Sequence, residues 1–441
     1  MSRGQKADAP FGSDYLHELN TNELLKGMYI SDIDCAWSKT PFDMDGFHIR
    51  STGDIEILKK YCNFVIIDMN KGVKPRQQRV DNLTILSSAR KAVKAPVAIK
   101  VDREIYSVTH TIKKQIDKSL LHYEQLIKHL TEFGDQLRGG DVPLLNYLNH
   151  YVELMTDNIL ANPQTLIWLL NTDSSRSGQA VYSVRAAIWA AILGRETGLG
   201  KRDIQVLFLG TLLADAGMNF LSERLINMTG PFRKKEFRAY QRHVQLGMDL
   251  LNKYPELDGR IASIVRCHHE RHDGRGFPRG LKSEQVPLFA RYASLAFCFE
   301  RLLRRQSTAE SVSPVKAMAK LYKQRVLKFP EELAVEFIRI LGTYPIGALV
   351  ELSNGEIAIV LEQTEGEKLA PKVALLSNHQ KVKLGKPKQI NLSSDKSKQE
   401  GLFIKSAVTA RVAKSVGVDA ADYTFAFYGL KVALGPLSLR L

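Results

Sequence analysis

From about 142 to 340, apolar residues recur every three or four positions, and glycine and proline are confined to a few turns. A run of that length and period cannot be laid out as strands, whose apolar residues alternate, so 141–340 is expected to be an all-α domain. Upstream, Ile105, Val108, Ile112, Ile116, Leu120, Tyr123, Ile127 and Leu130 carry the same period between Glu104 and Arg138, and Gly139-Gly140 ends it. One long amphipathic helix over 106–140 follows, read as a linker. A dimer seam, or packing on its own domain, is the alternative.

The flanks read differently. "GMYISDID", "DMDGFHIRS" and "CNFVIID" are short β-type runs around turns, with Ser51 as N-cap of a helix across "GDIEILKKY", making 15–105 a small α+β domain. After Tyr344-Pro345, "GALVELSNGEIAIVLEQ" sets two β runs around Asn354-Gly355, a strong hairpin signal, and "KVALL" follows. Residues 344–441 are therefore expected to be β-rich, with "KLGKPKQINLSSDKSKQEG" as an exposed loop. The fold class is mainly α: a helical domain between a small N-terminal α+β domain and a small C-terminal β-rich unit.

With 441 residues and 44% hydrophobic content, about three domains can each build a core. No apolar run reaches signal-peptide or bilayer-spanning length, so a soluble, cytoplasmic protein without membrane partners is expected. Cys35, Cys62, Cys267 and Cys298 are far apart and lack C-x-x-C spacing, which argues against a disulfide framework or a cysteine zinc site and for buried thiols. The 62 Lys and Arg against 47 Asp and Glu leave a net charge of +15, which favours anionic partners, with a solvated basic surface as the plain alternative. The basic clusters "RLLRRQ" and "KVKLGKPK" lack interleaved aromatics, so nucleic acid is not expected.

Ile261, Ile264, Val265 and His268 share one helix face, with His269 one step round, a placement that usually means a satisfied core histidine. Ile204, Leu207, Phe208, Thr211 and Leu212 form a second stripe that Asp215 continues. A buried carboxylate without a partner is costly. Asp215 with His243, His268 and His269 would make a carboxylate and imidazole cluster suited to Fe, Mn or Zn.

The stretch "HHERHDGRGFP", 268–278, resembles the HD-GYP signature H-H-E-x-x-D-G-x-G-Y-P, with Phe277 in place of the tyrosine. The resemblance extends to "LFLGTLLADAG" (the H-D helix), "HVQLGMDLL" (the next histidine helix) and "YPIGALVELSNGEIAIV", and 15–105 resembles the small domain of unknown function that often precedes this module. It implies an HD-type helical fold and a metal-dependent phosphodiesterase acting on cyclic di-GMP, in which two or three metals, typically iron or manganese, activate the attack on phosphorus.

The same register identifies what is missing. Ala214 stands before Asp215 where the family has the histidine of its H-D pair, and Met218 replaces a lysine that faces the phosphate. The family's first ligand histidine falls on Tyr182, 32 positions before Ala214, and its last ligand aspartate on Phe297, 28 positions after His269. Of the four ligands of the H-D metal only Asp215 is kept, so that metal is expected to be absent. The second metal's set matches Asp215, His243 and His268, with His269 nearby; one Fe or Mn ion is expected, or none if the residual set binds too weakly. His272, Glu270 or Glu300 acting as substitute ligands is the competing view.

The implied function is therefore a degenerate member in bacterial cyclic di-GMP signalling, regulatory and weak or silent in hydrolysis; the alternative is an active phosphodiesterase using Asp215 and a reduced metal site. A different phosphohydrolase is a third reading. The loop Asp273, Gly274, Arg275, Gly276, Phe277 and Pro278 forms a tight turn and, by resemblance, a docking loop for a diguanylate cyclase or another signalling protein, with Phe277 as aromatic anchor. A homodimer is left open.

Overall fold

The structure is a computed structural model that describes residues 16–33, 46–68, 71–73, 105–173, 176–226, 228, 232–303, 312–364, 367, 369–420 and 427. Cys35 and part of "RLLRRQ" lie outside them. The chain divides into two compact units, 1–97 with 227–237, and 98–226 with 238–441.

In the first unit, β1 (Leu16–Asn20), β2 (Tyr29–Ile33), β3 (Phe47–His48) and β4 (Phe64–Asp68) form an antiparallel sheet in the order β1-β4-β2-β3. Helix α1 (Thr52–Tyr61) starts where expected. Ser51 Oγ accepts from Asp54 N at 3.2 Å, and Asp54 accepts from Ser51 N at 2.9 Å, a reciprocal cap that satisfies two otherwise orphaned donors. Met28, Ile30, Ile49, Leu58, Val65 and Ile67 make its core.

The second unit holds α2 (Ile112–Gly139), α3 (Asn146–Ala161), α4 (Pro163–Thr172), α5 (Gln179–Glu196), α6 (Lys201–Leu213), α7 (Glu223–Ile226), α8 (Lys234–Leu251) from Arg238 onward, α9 (Gly259–Cys267), α10 (Leu288–Leu303), α11 (Pro314–Lys323), α12 (Arg325–Lys328) and α13 (Glu331–Leu341). The stretch expected to be a linker is built into this bundle. Ile116, Leu120, Tyr123, Leu126, Leu130, Phe133 and Leu137 of α2 are buried against α3, α4 and α5, because a one-sided apolar stripe finds its cover there. The helix also begins later than its periodicity suggested. Thr111 caps it by accepting from Lys114 N at 3.3 Å, leaving Ile105 and Val108 exposed ahead of it.

At the C-terminal side, β5 (Leu349–Leu352), β6 (Ile357–Glu362), β7 (Lys372–Ser377), β8 (Lys383–Asn391) and β9 (Ile404–Ala407) form an antiparallel sheet in the order β8-β7-β6-β5-β9, with α14 (Asp395–Gln399) before β9 and α15 (Ala410–Ser415) after it. The β5–β6 hairpin closes at the expected glycine, Gly355, whose φ of +87° only glycine takes freely. Ile359, Leu361, Ala374 and Leu376 join the helical core, so the sheet belongs to the same unit as the bundle. "KLGKPKQINLSSDKSKQEG" is not a loop: it supplies edge strand β8 and α14. Its lysines point to solvent while β8 pairs with β7, a common way of protecting an edge, and the composition hides the strand.

Cys62, Cys267 and Cys298 are buried. Among the described residues no helix is long and apolar enough to cross a membrane.

Candidate metal centre

Asp215 sits just past the end of α6, in the turn that opens the 3-10 segment Ala216–Phe220. Gly217 explains how that turn reaches α8. A β-carbon there would lie 2.0 Å from the His243 carbonyl oxygen and 2.5 Å from the Gly247 nitrogen, so only glycine lets the backbones come this close. His243 lies on the buried face of α8 with Val244, Gly247 and Met248, while His268 caps the C-terminus of α9 and His269 follows it.

These four side chains meet. Each offers one ligand atom, and the four atoms lie within 4.8 Å of one another. Asp215 Oδ1 is 3.3 Å from His268 Nε2 and 3.6 Å from His243 Nε2, and His243 Nε2 is 3.1 Å from His269 Nε2. His243 Nδ1 donates to the Tyr240 carbonyl at 2.6 Å and His268 Nδ1 to the Val265 carbonyl at 2.9 Å. Because a carbonyl only accepts, the proton of each neutral ring is on Nδ1, and Nε2 turns a lone pair toward Asp215, the posture of a metal-ligating histidine.

The electrostatics agree. Burial pushes the Asp215 carboxyl up, but His268 and His243 in their protonated forms, with a hydrogen bond from Gln179, outweigh it and hold the group below its ordinary value. Burial pulls His243 down against the pull of Asp215, and burial with His268 and His243 holds His269 well below the usual imidazole range. Asp215 Oδ1 and His268 Nε2 are buried with no hydrogen-bond partner, an expensive arrangement for facing lone pairs unless a cation lies between them. The donor set fits one divalent ion such as Fe, Mn or Zn.

The remaining positions carry no such donors. The Tyr182 hydroxyl donates to the Phe297 carbonyl at 3.0 Å, their rings are 5.4 Å apart, and Phe297 packs 5.5 Å from the His268 ring. Ala214 and Met218 are buried and bring neither charge nor ligand. The candidate substitutes do not join the centre: Glu300 accepts from Arg185 at 2.7 Å and Trp189 at 3.0 Å, Glu270 is used by the following loop, and His272 lines a small cavity with Arg291 and Lys328.

The loop is tightly held. Glu270 accepts from the backbone nitrogens of Arg279 at 2.8 Å and Leu281 at 2.9 Å, and Asp273 from those of Arg275 at 3.0 Å and the Arg271 side chain at 2.8 Å. Gly274 has a positive φ of +78°, and a β-carbon on Gly276 would come within 2.5 Å of His269 O. Phe277, read as the loop's aromatic anchor, is half-buried and stacked on His269, with ring centroids 4.4 Å apart. An aromatic ring next to an apolar-walled imidazole gains more by covering it than by facing water.

Two neighbours were not singled out in the sequence. Gln179 Nε2 donates to Asp215 Oδ2 at 3.1 Å, and the Tyr240 hydroxyl is 3.4 Å from His269 Nε2. Each stands three residues before a position already marked, Tyr182 and His243, and that helical spacing was the available signal.

Residues 164–333 match the HD domain and 16–143 a domain of unknown function, DUF3391, whose match runs through α2. A cyclic di-GMP phosphodiesterase of Pseudomonas aeruginosa is 24% identical over 361 residues, 81% of this chain and 84% of that one. A cyclic di-GMP phosphodiesterase response regulator of Xanthomonas campestris is 28% identical over 34% of this chain, and the match spans 39% of that relative's length. A solved HDG"Y"P protein from Bdellovibrio bacteriovorus aligns with a TM-score of 0.45 and 17% identity over 74% of this chain and 99% of its own. The chain thus carries an HD domain over 164–333 with a DUF3391 region ahead of it, and a stretch like the HD-GYP signature, changed at Phe277, lies beside its Asp215–histidine cluster.

Proposed function

We propose that this chain acts in bacterial cyclic di-GMP signalling as a regulator that binds the nucleotide, a signalling partner such as a diguanylate cyclase, or both, with hydrolysis weak or lost. The named activities of its relatives support the pathway. The observation that carries the regulatory reading is the Tyr182–Phe297 pair, which puts packed aromatic surface where a second ion's ligands would stand. An ion held by Asp215, His243, His268 and His269 would supply Lewis-acid polarisation of a phosphoryl oxygen. The protein itself then contributes a neutral imidazole set, fixed in tautomer by the Tyr240 and Val265 carbonyls, with the Phe277 and Phe297 rings packed on His269 and His268. With ligands for one ion, the attacking and leaving oxygens are not both clamped.

The test is titration of the full chain with cyclic di-GMP, with product analysis on the same sample. Saturable binding without linear or mononucleotide product supports the reading; absence of both nucleotide binding and cyclase capture overturns it. The preserved four-ligand cluster favours a second reading, a phosphodiesterase working with a reduced centre. Product formation by iron- or manganese-loaded protein that disappears in His243→Ala would establish it.

A further inference from the structure

Arg301 stands one helical turn beyond Phe297 on α10, so the two side chains leave the same face of that helix. Phe297 packs against both Tyr182 and His268, with ring centroids 5.4 and 5.5 Å away, which brings the Arg301 position to the rim of the Asp215–histidine cluster.

The guanidinium is not consumed by the fold. Arg301 is exposed, and no carboxylate pairs with it among the described residues. Its neighbour Glu300 points inward, committed to Arg185 and Trp189. Arg185 is buried in that ion pair and unavailable to a ligand. Met218, where the resemblance expects a lysine, contributes no charge. An unpaired cation at the rim of a centre with a single carboxylate is suited to an oxyanion, which a guanidinium can grip through two parallel N–H donors.

We propose that Arg301 is the oxyanion contact of this centre, taking phosphodiester oxygens of the nucleotide at the rim beyond Phe297. The proposal rests on the cyclic dinucleotide reading for the identity of the ligand, but not for the anion chemistry. Isothermal titration of the manganese-loaded full chain with inorganic phosphate, and separately with cyclic di-GMP, tests it on wild type, Arg301→Gln and Arg301→Lys. The expected result is about tenfold weaker phosphate and nucleotide binding in Arg301→Gln, intermediate affinity in Arg301→Lys, and unchanged metal content and melting temperature. Equal phosphate affinity in wild type and Arg301→Gln, or no phosphate binding by wild type, overturns it. Arg301-dependent phosphate binding without cyclic di-GMP binding would keep Arg301 as the anion contact and refute the cyclic di-GMP reading instead.

Discussion

The Tyr182 hydroxyl donates to the backbone carbonyl of Phe297 across 3.0 Å, tying α5 to α10 beside His268. Where two helices could each present a metal ligand, they present to each other an aromatic pair and a hydrogen bond that needs no ion. The contact makes the bundle self-sufficient at that point, and it leaves Asp215 to serve one cluster only.

If that is so, returning ligands should return a metal. The triple variant Tyr182→His, Ala214→His and Phe297→Asp is expected to bind about one more divalent ion per chain than wild type, since a four-ligand set is then rebuilt around Asp215. Without metal it should melt lower than wild type, because a buried carboxylate replaces packed aromatic surface. Elemental analysis and melting curves with and without manganese check both.

The residual centre depends on its outer partners as well as its ligands. Gln179→Ala removes the donor to Asp215 Oδ2 and is expected to weaken divalent-ion affinity by about 10- to 100-fold, with His243→Ala more severe. Competition with a fluorescent chelator reads both.

Gly217→Ala should damage the centre without touching a ligand. Its added carbon would fall 2.0 Å from the His243 carbonyl, so α8 must move away from the Asp215 turn. A stability loss of about 1–3 kcal/mol in urea unfolding, together with loss of metal affinity, is expected.

The loop after the histidines owes its order to Glu270, which is buried and satisfies two backbone donors. Glu270→Ala strands both, at a cost of about 1–3 kcal/mol, and hydrogen exchange across 273–281 should speed up while α5 and α6 keep their protection.

His122 of α2 supplies a pH signature away from the centre. Burial first, then Lys118 and His150, hold its pKa below the ordinary 6.5. Asn158 Nδ2 lies 3.1 Å from its Nδ1, a contact suited to the neutral ring. The unfolded chain therefore binds more protons than the folded one below about pH 6.5, so stability falls as pH drops from 6.5 toward the lowered folded value. His122→Gln should flatten that part of the profile, measured as unfolding free energy against pH.

Much of this was legible in the sequence because it was periodic. The stripes ending at Asp215 and at His268 give the direction of those side chains, and helix geometry does the rest. Ser51, a capping residue ahead of "GDIEILKKY", marked the start of α1. The limits fall where partners come from elsewhere in the chain. That α2 is a core helix depends on α3, α4 and α5 offering cover, which its own stripe cannot say. β8 reads as a polar loop because an edge strand keeps its lysines outward. Phe277 turns inward because His269 presents a face to stack on, a fact about two elements that neither states alone.

The most direct measurement is metal content by elemental analysis of anaerobically purified full-length protein, with cyclic di-GMP binding and turnover assayed on the same sample. The account predicts no more than about one ion per chain, nucleotide bound, and no more than trace product. About two ions per chain with steady formation of linear or mononucleotide product would contradict it, and would mean that Tyr182 and Phe297 do not close the second position.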